Sequence, residues 1–117
     1  LKMNESSTQW TVTAFLFSGR RNPQWKLTPE EAKEWMNKWR HAPLSPKEVK
    51  RPSVLGYTGC SLQYNEHSYW MIFDSCVSFY DQGLVISKED TQRGMEKLLF
   101  RGAPDEIKKL LEEPGMP

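Results

Sequence analysis

The chain has 117 residues, of which 38% are hydrophobic and 26% charged, and its aromatic residues are five Trp, five Phe and four Tyr. This composition is typical of one globular domain, and it excludes fibrous and wholly disordered chains. Sixteen basic and fifteen acidic residues leave a net charge of +1, so overall charge gives no reason to expect a nucleic acid partner. No apolar run approaches the roughly 18 residues of a transmembrane helix, so we expect no membrane span.

Short runs of alternating apolar residues predict five β-strands, one before the central part of the chain and four after it. The tight turns that separate the last four are typical of an antiparallel meander. The predicted strands, in chain order, are residues 10–17, 55–64, 68–73, 76–80 and 84–86.

The clearest local signal in the chain is a helix start after the first strand. Thr28 can cap the first free amide groups, Pro29 suits the first helical position, and Glu31 can reach back as the carboxylate of a capping box. We therefore predict a helix over residues 29–41, which Pro43 ends. One apolar stripe of this helix should pack on the first strand: Ala32, Trp35, Met36 and Trp39.

Two short helices are predicted near the C-terminus, one ending at Gly102 and one beginning at residues 103–106. The order β-α-β-β-β-β-α-α defines an α+β fold, in which an antiparallel meander carries the amphipathic helix after strand 1 on one face. We expect one domain over residues 9–113, with flexible termini at residues 1–8 and 114–117.

The two cysteines, Cys60 and Cys76, predict one disulfide, because the meander brings their strands into the same part of the sheet. Such a bond would be worth about 3 kcal/mol through loop entropy. Disulfides persist in exported proteins, and Asn4 begins a short glycosylation acceptor pattern. Both features favour an extracellular location.

Signatures of known enzyme classes are absent from the sequence, and we expect no cofactor. The spacing of His41, Cys60, His67 and Cys76 lacks paired close ligands, so we expect no metal site. A nucleophilic pair of His67 with either cysteine stays open as an alternative, but it requires a free thiol and a cleft, and the sequence indicates neither.

The loop after the first strand is the strongest candidate for a binding site. Arg20 and Arg21 bring guanidinium donors close to Asn22 and to the aromatic face of Trp25. These groups can bind a carboxylate, a phosphate, a sulfate or a sugar ring, and Tyr57 could close the other wall. The alternative is that they only fix the connection between strand and helix.

Two blocks of the chain resemble a pattern in small, mainly bacterial, single-domain proteins of unknown function. The first block is S-G-R-x-N-P-x-W at residues 18–25, and the second is L-G-Y-x-G at residues 55–59. The resemblance implies one compact domain and no catalytic residue. Because Arg20 falls in the recurring block, the resemblance assigns it a structural role and leaves Arg21 as the exposed arginine. The chain departs from the pattern at Cys60, where an aromatic residue is expected.

The sequence therefore favours a secreted, non-catalytic binding module that recognises an anionic ligand, a glycan or a protein partner through residues 18–25. A hydrolase-type enzyme and a structural or matrix protein are the alternatives. The pair Asp74 and Asp81 could imitate a carboxylate dyad, but both lie in predicted turns, where Asp commonly bonds its own backbone.

Overall fold

The computed structural model describes residues 9–16, 21–54 and 56–110 of the chain. Six strands form one antiparallel sheet in the order β2-β1-β3-β4-β5-β6. The strands are β1 Thr11–Ala14, β2 Gln24–Lys26, β3 Cys60–Gln63, β4 Ser68–Phe73, β5 Cys76–Asp81 and β6 Leu84–Glu89. The helices are α1 Pro29–His41, α2 Gly94–Arg101 and α3 Asp105–Leu110, and a 3-10 turn at Thr91–Arg93 precedes α2.

The predicted α+β class is confirmed, with one difference in the order of elements. The segment before α1 contains the short strand β2, so the helix follows strand 2 and not strand 1. Strand β2 pairs with β1 on the side away from β3. The termini expected to be flexible, residues 1–8 and 114–117, lie outside the described residues.

Helix α1 begins and ends where the sequence predicts. The Thr28 hydroxyl accepts a hydrogen bond from the Glu31 amide at 3.1 Å, and the Glu31 carboxylate accepts one from the Thr28 amide at 2.9 Å. This reciprocal pair is the expected capping box, and Pro29 occupies the first helical position. The four residues of the predicted apolar stripe are buried.

The core between the sheet and the helices is built around Trp70 of β4. Its ring lies 5.2 Å from that of Trp35 and 6.1 Å from that of Trp39, both in an edge-on arrangement. Trp10 stacks on the same ring at 5.8 Å. The burial expected for the two helix tryptophans is therefore confirmed, and Val12 and Ala14 of β1 belong to the same buried core.

Residues 43–54, the crossing segment, pass from the end of α1 around β6 onto the other face of the sheet. Ser45 donates its amide to the Ser87 carbonyl at 2.9 Å, and Glu89 donates to the Pro43 carbonyl at 2.8 Å. Farther along, the Val49 amide donates to the Ser78 hydroxyl at 2.8 Å. The sheet thus has helices on one face and an extended segment over part of the other.

The predicted disulfide is wrong, since Cys60 and Cys76 are both free thiols. Cys60 pairs with Ile72 of β4, and Ile72 pairs with Val77 of β5. The two cysteines therefore lie on strands separated by β4, about 10 Å apart at strand spacing, and adjacent residues of a strand face opposite ways. A disulfide requires Cα atoms within about 7 Å.

None of the helices in the described part of the chain is long and apolar enough to cross a membrane.

Candidate functional site

The loop residues predicted to bind a ligand are divided between the surface and the core. Arg21 is exposed and lies just before β2. Asn22 accepts a hydrogen bond from the Leu16 amide at 2.9 Å through its side-chain oxygen, which fastens the loop to the end of β1. Arg20, to which the resemblance assigns an anchoring role, lies outside the described residues.

Arg21 and Asn22 line an open groove of about 760 Å³. One wall of the groove is strand β2, and Glu106 and Ile107 of α3 form the opposite side. This volume lies within the range of about 300 to 1,000 Å³ typical of ligand sites in proteins.

Strand β2 presents to this groove backbone groups that have no hydrogen-bond partner among the described residues. The amides of Ala14 and Leu27 donate to the carbonyls of Pro23 and Trp10, which makes Val12 and Trp25 the hydrogen-bonded pair between these two bonds. The backbone of Trp25 thus faces β1. Because successive residues of a strand point their backbone groups in opposite directions, the amides and carbonyls of residues 24 and 26 face outward.

The aromatic ring expected to form a stacking surface at Trp25 is almost entirely buried. Only 6% of this residue is exposed, and its indole nitrogen donates to the Leu99 carbonyl at 3.0 Å. The indole also packs against Phe100 with ring centroids 5.4 Å apart. Trp25 therefore holds β2 against α2, and it also lines the groove.

Tyr57 does not form a wall of the groove. Its ring packs against Phe100 at 5.7 Å and Phe73 at 6.4 Å, and its hydroxyl donates a hydrogen bond to Glu96. Burial and the neighbouring Cys60 and Glu96 raise the pKa of Tyr57 well above its usual value. Tyr57 therefore packs within the protein, and other residues line the groove.

Tyr57 belongs instead to a buried polar cluster at the start of α2, which the sequence reasoning did not identify. Glu96 is fully buried, and Arg93 donates to its carboxylate at 2.6 Å. Asp90 accepts hydrogen bonds from the Met95 and Glu96 amides at 2.7 and 3.0 Å. Burial raises the pKa of Asp90, while these two amide donors oppose that shift. The sequence feature that could have indicated this cluster is Glu96, an acidic residue within an apolar helix face.

The structure does not place His67 beside either cysteine, as a nucleophilic pair would require. Burial raises the pKa of the Cys60 thiol well above its usual value, and no part of Cys60 is exposed to solvent. His67 is exposed in the turn between β3 and β4, at the end of that hairpin farthest from Cys60. Cys76 is equally remote from His67, because the whole of β4 separates that turn from the start of β5.

The other candidate chemistry is also dispersed. Asp74 precedes β5 and Asp81 ends it, so the two carboxylates stand at opposite ends of a six-residue strand and form no dyad. Within residues 9–16, 21–54 and 56–110, no group of three or more potential ligands of the His, Cys, Asp or Glu type could hold a metal ion.

The groove gains two further functional candidates that the sequence reasoning missed, Lys26 and Ile107. Lys26 contacts the side-chain oxygen of Gln9, a neutral partner that leaves its charge in place. Ile107 packs in the apolar core and also lines the groove. Only the packing of α3 beside β2 brings these residues together, which no local pattern indicates.

Comparison with known proteins gives no match to a family model, a curated protein or a solved structure.

Proposed function

We propose that the protein is a non-catalytic binding module whose ligand carries an anionic group into the groove beside β2. The observation that carries the proposal is that groove, which has the volume of a ligand site and an exposed arginine at its rim. Among the described residues that line the groove, Arg21 and Lys26 supply two positive charges, against the single carboxylate of Glu106. A guanidinium beside amide and backbone donors suits a carboxylate or phosphate oxygen.

The proposal concerns binding and not the compartment in which binding occurs. An extracellular location was argued from a disulfide between Cys60 and Cys76, and their free thiols remove that support. The second argument, the acceptor pattern at Asn4, falls outside the described residues.

The test is a binding panel of succinate, inorganic phosphate and a sulfated disaccharide, read by amide chemical shifts and by calorimetry. We expect Arg21→Ala to weaken binding of the best anion about fivefold, which corresponds to about 1 kcal/mol for an exposed ion pair. The stability of this variant should stay within about 0.5 kcal/mol of the parent, because the side chain is exposed.

Two control variants make the test specific to the groove. Arg40→Ala removes an exposed arginine from α1, outside the groove, and should leave anion binding unchanged. Glu106→Gln removes the only acid among the described residues that line the groove and should strengthen binding. Equal losses in Arg21→Ala and Arg40→Ala, or no binding by any anion, would contradict the proposal.

A further inference from the structure

We infer that the groove receives an extended acidic peptide segment of a partner protein, which pairs antiparallel with β2 as a seventh strand of the sheet. This inference rests on the proposed function, since it names the class of ligand that the same groove binds. The inference has two parts, the backbone pairing of the peptide with β2 and the preference for acidic side chains. The two parts can be tested separately.

The first step is the backbone of β2. Gln24 and Lys26 each direct one amide and one carbonyl away from β1, toward the groove. An antiparallel peptide can exchange a pair of hydrogen bonds with each residue, which gives four bonds in all. All strand pairs of this sheet are antiparallel, and such ladders are slightly more stable than parallel ones. Strand addition to a free edge is a common mode of peptide recognition.

The second step is the side chains on the two faces of the added strand. Lys26 is in register with Thr11, on the sheet face away from the helices, so a peptide residue opposite Lys26 would meet its ammonium. The next peptide residue would point to the helix face, where Ile107 offers an apolar contact. The expected peptide therefore alternates acidic and apolar residues.

The third step excludes a second copy of this chain as the favoured occupant. Pairing of two β2 edges would bring the positive charges of Arg21 and Lys26 from both copies to one interface. Like charges placed together in an interface disfavour association. The short length of β2 and the lysine on it are also features that limit edge-to-edge pairing of identical sheets.

The probe is the synthetic peptide acetyl-TEVEVET-amide, titrated into the whole protein while amide chemical shifts are recorded. We expect the largest shifts at residues 24–26 and at α3. In the antiparallel pairing, the peptide residues opposite Gln24 and Lys26 are the glutamates, and their amides donate to β2. N-methylation of the glutamates should therefore weaken binding at least about tenfold, whereas N-methylation of the valines should leave it nearly unchanged.

Methylation changes the probe and not the protein, so its result does not depend on the folding of a variant. Equal binding of both methylated peptides would overturn strand addition, and loss on valine methylation alone would overturn the antiparallel arrangement. A lysine counterpart, acetyl-TKVKVKT-amide, should not bind, and equal affinity for it would overturn the charge preference. Concentration-dependent dimerisation through β2 in the absence of peptide would overturn the choice of occupant.

The inference and the proposed function can fail separately. If succinate or phosphate binds in the groove and the peptide does not, the inference is wrong and the proposed function stands. If none of them binds, both are wrong. Lys26→Pro adds a check on the protein side, because proline fits an edge strand where its missing amide would face outward. This variant should weaken peptide binding about tenfold, and Lys26→Ala only about fivefold.

Discussion

Glu96 carries a carboxylate into the core, where Tyr57 and Arg93 donate hydrogen bonds to it. Burying an ionised group is costly unless hydrogen bonds replace its hydration. Arg93 reaches Glu96 from a left-handed backbone conformation with φ of 57°, which residues other than glycine rarely adopt. The cluster therefore fixes the start of α2 and joins it to the loop before β3.

Removal of one donor to Glu96 should destabilise the fold. We expect Tyr57→Phe to lower the free energy of unfolding by about 2 kcal/mol, because it leaves a buried carboxylate with one hydrogen bond fewer. Tyr64→Phe is the matched control, since the ring of Tyr64 packs on Trp10 and its hydroxyl has no protein partner among the described residues. Denaturant titration of both variants measures the difference. Equal effects would mean that the hydroxyl of Tyr57 contributes nothing.

The two thiols should differ in reactivity because their surroundings differ. Unfolded protein without reductant should titrate two thiols per chain. In the native protein only Cys76 should react with a chromogenic disulfide reagent, and more slowly than a free thiol, because burial raises its pKa. Cys76→Ser should abolish the native reaction and leave one thiol after unfolding. Absence of titratable thiols in the unfolded parent would show that a disulfide forms after all.

Among the elements, the loop at residues 56–59 sets how β3 enters the sheet, and it contains two glycines with positive φ. Gly56 has φ of 94° and open space where a side chain would stand. Gly59 has φ of 108°, and a β-carbon there would lie 2.6 Å from the Ile72 carbonyl oxygen of β4. The first glycine is required for its conformation alone, and the second for its close approach to β4 as well.

Alanine at these two positions should therefore have unequal effects. Gly56→Ala should cost about 1 kcal/mol, the strain of a left-handed conformation. Gly59→Ala should cost about 1 to 3 kcal/mol more, since the new methyl group can fit only if the backbone of β4 moves. Thermal and denaturant unfolding of the two variants provide the comparison. Equal losses would mean that the approach of Gly59 to β4 is unimportant.

The elements that could be predicted from sequence are those whose signals lie within a few adjacent residues. The ends of α1 were predicted correctly, because the capping box from Thr28 to Glu31 is local. Strand β2 was missed, because three residues are too few for an alternating pattern and its pairing depends on β1. The disulfide was wrong for a related reason, since the register that separates Cys60 from Cys76 is set by long-range pairing.

The candidate site shows the same limit. The sequence placed Arg21 and Asn22 together at a surface loop, and both line the groove. It could not indicate that Trp25 is used to hold β2 against α2, since a tryptophan beside arginines has the same sequence signature in either role. The place of Ile107 in the groove could not be predicted from the sequence, because only the packing of α3 beside β2 brings it there.

For the whole molecule, the two faces of the sheet are covered in different ways. Helices pack on one face, whereas the crossing segment packs on only one end of the other. It is attached there by the bond from Val49 to Ser78 and by the Tyr80 hydroxyl, which donates to Glu48 at 2.6 Å. Burial and this carboxylate raise the pKa of Tyr80 to about 12. On this same face, one row of residues in register runs across all six strands: Lys26, Thr11, Gln63, Tyr69, Tyr80 and Val85.

The two outer strands of the sheet also differ, because the crossing segment pairs with β6 and no described segment pairs with the outer side of β2. The amide of Glu89 faces outward from β6 and donates to the Pro43 carbonyl at 2.8 Å. The amides of Gln24 and Lys26 face outward from β2 into the groove. One edge of the sheet is thus closed by the chain itself, and the other is open.

Hydrogen exchange resolved by residue can measure this difference in the protein without any ligand. We expect the amides of Gln24 and Lys26 to exchange quickly and that of Trp25, bonded to β1, to exchange far more slowly. Glu89 should be protected like Trp25 although it lies on an edge strand, because its hydrogen bond closes that edge. Protection of Gln24 and Lys26 equal to that of Trp25 would mean that another part of the chain already covers β2, and the groove would then lack the backbone groups on which strand addition depends.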